Sequence, residues 1–307
     1  MDHAQPALQN VVTIEAVKNY VLVAKPWMVV DNLVSASGGF FLAAQGHVAI
    51  NLYASVLMGM SCVVSSACVF NNYIDRYIDK GMDRTCRRVL ATGAISQRGS
   101  LIYATFLGIA GAAILSAGTN TLTLTIALAG FAIYVGAYSL YLKRNSVYST
   151  VVGSLAGAAP PLAAYCAISN CIDAGAILVL IVFSLWQIPH SYAITIYRYD
   201  DYSAVAIPVM PVKMSIETTK KHIVWHIAAF MLAAQMLTVF GYTGYAFLAV
   251  ATTLGLCWLC MALSGYKDCD NRLWARRLYV FSILAVFILS VMMSIDYGGP
   301  HDLSNAL

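Results

Sequence analysis

The sequence predicts an all-α integral membrane protein: nine transmembrane helices in one bundle, with the N-terminus inside and the C-terminus outside. Three observations predict it. Of 307 residues, 60% are hydrophobic and 10% charged, against about 25% charged in soluble domains, and the mean hydropathy is +0.72. Apolar runs of the ~20 residues that span a bilayer recur along the whole chain. The basic residues are confined to alternate connections between those runs. A soluble enzyme and a disordered or nucleic-acid-binding chain are excluded by the same composition. No 20–50-residue repeat and no low-complexity segment divides the chain, so residues 1–307 read as one domain.

The first twenty residues are mixed and carry Asp2, Glu15 and Lys18. They lack the apolar core and small-residue cleavage site of a secretory signal, and read as a cytoplasmic tail. The spans fall at roughly 24–44, 50–72, 100–117, 121–141, 148–168, 174–195, 224–241, 245–264 and 277–296. Ala117-Gly-Thr-Asn120 and Gly241-Tyr-Thr-Gly244 join their neighbours as tight helical hairpins. Pro160-Pro161 in the fifth span is expected to distort that helix and shape a cleft. Residues 297–307 form an external tail.

Direction follows from charge. All 18 Lys and Arg lie in the N-terminal segment up to Lys25 and in connections 73–99, 142–147, 196–223 and 265–277. The alternate connections, 45–49, 118–120, 169–173 and 241–244, hold none. Basic residues stay on the cytoplasmic side, and nine spans supply the odd parity this arrangement needs. The eight cysteines are scattered through apolar runs and read as reduced packing residues. Cys257-x-x-Cys260 lies within a span without a second Cys or His pair, which argues against zinc.

The densest charge lies in Asn71–Arg88, three acids and five bases on the predicted cytoplasmic face. Asn71, Asp75, Asp79 and Asp83 recur every four residues, a spacing that stacks them on one face of a helix. Like charges there repel, so the ladder calls for a cation. Mg²⁺ binds through one or two carboxylates plus substrate phosphates, which makes this a diphosphate site. Asp75 and Asp79 are expected to carry the metal. Asn71 and Asn72 supply neutral oxygens or orient its waters, and Arg84 and Arg88 grip phosphate oxygens. Asp83, one turn further out, is expected to orient Arg84. Fixing topology alone would not require the acids, which contribute little to orientation.

The other long cytoplasmic loop opens on Tyr197-Arg-Tyr-Asp200-Asp201-Tyr202. Asp200 and Asp201 sit at a second helix end, where they form an opposite carboxylate wall for a two-metal clamp or are incidental acids of a turn. Lys143, in the connection between them, either reaches a phosphate or anchors its span. His190 follows Pro189 within the sixth span, and ionisable residues at membrane depth are functional candidates. It faces a bound ligand, bonds to a neighbour of the site, or packs. Asp31 and Asn32, early in the first span, are placed to face the cavity.

Asn71-Asn72-x-x-Asp75-x-x-x-Asp79, followed by Arg84-Thr85-x-x-Arg88 and Gly93, resembles the first aspartate-rich motif of the UbiA-type intramembrane prenyltransferases. That family commonly has an acid where this chain has Asn72. Its second motif carries acids four apart, where this chain has Tyr197 and Asp201. Further stretches resemble the haem-farnesylating members: Lys25-Pro26, Tyr138-Ser-Leu-Tyr141-x-Lys143-Arg144, Gly157-Ala-Ala-Pro160-Pro161, Trp186-Gln187-x-Pro189-His190-Ser-Tyr192 and Asp201-Tyr202-x-Ala-x-Ala-Ile207-Pro208-Val-x-Pro211.

The resemblance covers about residues 20 to 295. It implies a helical bundle with a cytoplasm-facing active-site cavity in the bacterial inner membrane. It also implies transfer of the farnesyl group of farnesyl diphosphate to a vinyl group of haem B, assisted by Mg²⁺, with water adding a hydroxyl. Arg84, Arg88, Lys143, Arg144, Tyr197 and His190 then become substrate-binding positions, and haem A synthesis or terminal oxidase assembly would lie downstream. Two other classes remain open here: a UbiA-type enzyme with an aromatic or quinone-precursor acceptor, and a non-enzymatic transporter or haem-handling subunit. A transporter would place acids near the midplane or show paired broken helices. A bis-His haem subunit would need a second deep histidine.

Overall fold

The computed structural model describes residues 5–267 and 270–298, with the backbone alone for 5–13. The outer ends of both expected tails, residues 1–4 and 299–307, lie outside the described residues, as does Cys269. A helix α1 (Gln5–Val23) occupies the region expected to be a plain tail. It breaks at Ala24-Lys25, and Pro26 opens the next helix at a position where its missing N–H costs nothing.

Among the described residues nine helices are long and apolar enough to cross a membrane. They are α2 (Pro26–Ala44), α3 (Ile50–Asp75), α4 (Gln97–Gly118), α5 (Thr121–Asn145), α6 (Ser149–Ser169), α7 (Ala174–Tyr197), α8 (Ile216–Val239), α9 (Tyr245–Ser264) and α10 (Asn271–Ile295). Each coincides with an expected span. The largest boundary shifts are at α8 and α10, which start about two turns earlier than their hydropathy suggests. Those turns carry Lys220, Lys221, Arg272, Arg276 and Arg277, and charge reads as loop in an apolar scan. Capping starts the helices there: Ser215 Oγ accepts from Thr218 N at 3.0 Å, and Asp270 Oδ1 accepts from Arg272 N at 2.8 Å. Lys220 is buried, donating to Gly265 O (2.7 Å) and Glu217 Oε1 (3.0 Å).

The end of the bundle away from the basic connections is closed by polar caps. Asn120 Oδ1 accepts from Thr123 N at 2.8 Å while its amide donates to Cys166 O at 2.8 Å. Asp173 caps α7 through Ala176 N (2.8 Å) and accepts from Tyr165 OH (3.0 Å). Asp296 caps α9 through Phe247 N at 2.5 Å. The tight hairpins expected at 117–120 and 241–244 are therefore built and pinned.

Helix α6 is the central post: 61% of its apolar window is buried inside the protein, against 17% for α4 at the rim. It packs against α2, α5 and α7, and α10 closes on α2 and α7. Small residues permit this. A Cβ on Gly39 would stand 2.2 Å from Pro161 O, so α2 and α6 touch backbone to backbone. Pro160 and Pro161 lie inside a continuous α6 rather than at a break in it, and Pro160 lines a cavity. The described cysteines are free.

Candidate active site

The expected four-residue ladder is only half helical. Helix α3 carries Asn71, Asn72 and Asp75 and stops there; Asp79 begins a tight 3₁₀ turn, Asp79–Gly81, after a three-residue turn. Continuing the helix would have stacked three carboxylates. Instead Asp79 turns inward, 2% exposed, and accepts from Arg88 Nη1 on both oxygens at 2.9 Å. Thr85 Oγ1 donates to Asp79 O at 3.0 Å and holds the returning loop. Asp83 and Arg84 are exposed, and no ion pair joins them among the described residues, so the expected orienting role of Asp83 has no contact behind it.

Asp75 is wholly buried at the end of α3. Lys143 donates to its Oδ2, as does Asn71 Nδ2 at 3.0 Å; Arg144 Nη2 stands 3.8 Å from Oδ1. Arg144 also donates to Ile74 O at 2.7 Å, closing the helix end. Lys143 arrives by an unusual route. From Ile133 to Leu142, α5 widens into a π-helix, so that Lys143 N bonds back to Tyr138 O five residues earlier. Such segments are rare and concentrate at functional sites. The same segment presents Ser139 Oγ to Asn71 Nδ2 at 3.1 Å.

Lys25 completes the cluster, and sequence reasoning missed it as a site residue. Its backbone is left-handed (φ 55°, ψ 66°), costly for a residue with a Cβ. Its ammonium donates to Asn71 Oδ1 at 2.5 Å. Burial, and then the positive charge of Arg88, push its amine down to about 8. The hints in the sequence were a base directly before Pro26 at the mouth of an apolar run and the resemblance of Lys25-Pro26 to the family, neither of which gave it a role. Asn72 turns the other way: Nδ2 donates to Val23 O at 2.6 Å, tying α3 to the end of α1 just before Lys25. The structure thus brings Lys25, Arg88, Lys143 and Arg144 around two buried carboxylates. That excess of positive charge suits a multivalent anion.

The second loop meets the first more loosely. Tyr199–Ala204 is a short helix, and Asp201 Oδ1 accepts from the backbone N of Arg84 at 3.4 Å, while Asp200 is exposed. Tyr197 lies apart from the aspartates, its ring 4.3 Å from the Arg198 guanidinium and 5.9 Å from that of Arg272.

Beneath the charged pole is a cavity of about 180 Å³, lined by Asp31, Tyr134, Pro160, Trp186, Gln187 and His190 among apolar side chains. Cys68 on α3 also lines it, about two turns before Asp75, so the cavity runs inward from the carboxylates. Gly157 lets Gln187 in; a Cβ there would overlap Gln187 Oε1 at 1.7 Å. His190 Nδ1 is 2.7 Å from Ser282 Oγ on α10, a partner that no motif announced.

Residues 32–291 match the model of the UbiA prenyltransferase family. The chain belongs to that family. It is therefore a multi-pass integral membrane prenyltransferase. Relatives named protoheme IX farnesyltransferase include that of Sodalis glossinidius, 54% identical over 92% of this chain and 96% of its own. That of Photorhabdus laumondii is 53% identical over 94% and 98%. A UbiA homolog from Archaeoglobus fulgidus bound to GPP and Mg²⁺ shares the fold at a TM-score of 0.70 and 14% identity, over 90% of this chain and 99% of that one. A structure of digeranylgeranylglyceryl phosphate synthase superposes at 0.74, with 14% identity, over 91% and 99%.

Proposed function

We propose that this UbiA prenyltransferase catalyses the reaction its relatives are named for. It moves the farnesyl group of farnesyl diphosphate to a vinyl group of haem B (protoheme IX), giving the hydroxyethylfarnesyl product haem O and diphosphate. The observation that carries this reading is the buried pole of Asp75 and Asp79 with four bases, set over an apolar cavity at membrane depth. The identity of the acceptor is supported by relatives at 53–54% identity over nearly the whole chain.

The donor set fits Mg²⁺ bound jointly by protein and diphosphate. Among the described residues no three acidic, His or Cys side chains gather into a metal cluster. Two carboxylates are present, however, and Asp75 Oδ1 is buried without a hydrogen-bond partner. That suits an ion needing one or two protein carboxylates and phosphate oxygens for the rest. Asp75, Asp79 and Asn71 would hold it, with Asp201 and Asp200 approaching from the second loop. When bound, it neutralises the diphosphate and improves it as a leaving group.

The chain's own groups do the remainder. Lys143, Arg88 and Arg144 exchange their carboxylate partners for phosphate oxygens, where negative charge grows as the bond from farnesyl C1 to oxygen breaks. Arg84 has a free guanidinium for the same purpose at the rim. The diphosphate leaves with the bonding electrons, the vinyl carbon bonds to C1, water adds to the neighbouring carbon and a proton is released. The apolar cavity keeps water away until the first bond forms. At about 180 Å³ it is smaller than the roughly 300–1,000 Å³ of ordinary ligand pockets, so two large apolar substrates enter by displacing lining side chains.

The confinement of Lys and Arg to alternate connections supports a pole on the cytoplasmic face of the inner membrane, with the N-terminus inside and the C-terminus outside, and the chain is read as one domain. Haem A formation or terminal oxidase assembly would consume the product. The test is incubation of purified protein with farnesyl diphosphate, Mg²⁺ and haem B, followed by mass spectrometry. A farnesylated hydroxyethyl haem is expected. Its absence, with prenylation of an aromatic acceptor instead, would overturn the reading.

A further inference from the structure

The reaction as derived leaves several polar groups of the cavity unused, His190 among them. His190 lies on α7, a little over two turns before its charged end, and lines the cavity. Its ring is held on several sides. Trp186 stacks on it with centroids 4.9 Å apart at 28°, and Tyr279 lies 5.4 Å away at 58°. The backbone of Ser282 fixes the stacking partner, accepting from Trp186 Nε1 at 2.8 Å, while its hydroxyl meets His190 Nδ1 at 2.7 Å. A single residue of α10 thus sets both rings.

The proton count assigns the tautomer. Ser282 Oγ carries one hydrogen, and we assign it to Tyr279 O, a carbonyl 2.6 Å away that can only accept. Its contact with His190 is then a hydrogen bond only if Nδ1–H is the donor. Nδ1 therefore holds the proton of the neutral ring, and the lone pair is on Nε2. Nε2 has no hydrogen-bond partner among the described residues. Metal-ligating histidines are prepared in this way, with the other ring N–H donated to a neighbour that fixes orientation and raises basicity. Neutral imidazole is also a common proximal ligand of haem iron.

We propose that His190 Nε2 is the axial ligand of the haem substrate's iron, and that Ser282 is the residue that positions it. The inference rests on haem being the acceptor. Ligation anchors the macrocycle at one point in an otherwise apolar cavity, and the vinyl group to be alkylated is chosen by rotation about that anchor. Donation from Nδ1 to Ser282 keeps the imidazole from turning.

The test is an optical and electron paramagnetic resonance titration of the purified full chain with ferric haem B in lipid nanodiscs. The native protein is expected to bind haem saturably with a histidine-ligated spectrum. His190→Ala should lose that signature and regain it on addition of imidazole, and His190→Met should shift it to that of a thioether ligand. Ser282→Ala should weaken haem binding roughly tenfold, the lower end of the range for losing such a partner. Ser282→Thr, which keeps the hydroxyl, should stay near the native value. Haem bound with an unchanged spectrum in His190→Ala and His190→Met overturns the ligand. Native affinity and spectrum in Ser282→Ala overturn the positioning role. A native chain that binds no haem saturably overturns the acceptor itself, a result distinct from both.

Discussion

The two acidic loops carry similar residues in opposite physical states. In the first, Asp75 and Asp79 are 0% and 2% exposed, and each is paired with a base from its own loop or from α5. In the second, Asp200 is exposed, and Asp201 touches the first loop through one long contact of 3.4 Å. A buried carboxylate demands its partners before any ligand arrives, because an unpaired buried charge is costly. The first wall is therefore preorganised. The second can be recruited by what binds, and its groups act late and weakly.

The sharpest way to break this contrast is Asp75→Asn. It removes the negative charge that pairs with Lys143 and would hold the metal. Turnover is expected to fall roughly 100- to 1,000-fold, the order seen when one preorganised electrostatic group is lost. Membrane insertion should persist, since acids weigh little in topology. Asp79→Asn should behave alike. Near-native turnover in both, measured in nanodiscs, removes the metal assignment.

Next in size is Asn72→Asp, which restores the acid common in the family. It cannot donate to Val23 O, so the expected result is a loss of about 1–3 kcal/mol in stability and lower turnover through a displaced Lys25. Higher activity with undiminished thermal stability would show that Asn72 is a ligand position after all. Asp201→Asn should raise the KM for farnesyl diphosphate by about fivefold or less, as for an exposed charge pair. Asp200→Asn should change kcat and KM by less than about twofold. If either matched Asp75→Asn, the second wall would be as preorganised as the first.

Most of the fold was legible because a bilayer constrains sequence so heavily. Span length fixed the helices, and the partition of Lys and Arg fixed which connections share an end. Asp75, Asp79, Arg88 and Lys143 were legible because charge is conspicuous against an apolar background. What escaped depended on backbone conformation. The four-residue spacing runs on past Asp75 without a mark of the helix ending there. Nothing in the residues Ile133–Leu142 distinguishes a π-helix from an α-helix. Lys25 became a site residue through a left-handed φ, and Ser282 through a proton placed on Tyr279 O.

The widened stretch of α5 has one more consequence, which is a matter of phase. A π-helical turn holds more residues than an α-helical one, so the segment acts as a spacer that sets the angle at which everything after it leaves the membrane. Removing one residue would rotate the end of the span by about 100° and carry Ser139 and Lys143 off Asn71 and Asp75. The shortened span would still exceed the ~20 residues a bilayer requires. Gly136 is the natural place, since a Cβ there would meet nothing within 4 Å. Its deletion should yield a protein that inserts normally and turns over poorly, and one residue added back between Tyr138 and Lys143 should restore activity. The catalytic geometry of this enzyme is in that sense kept as a count of residues along a single helix.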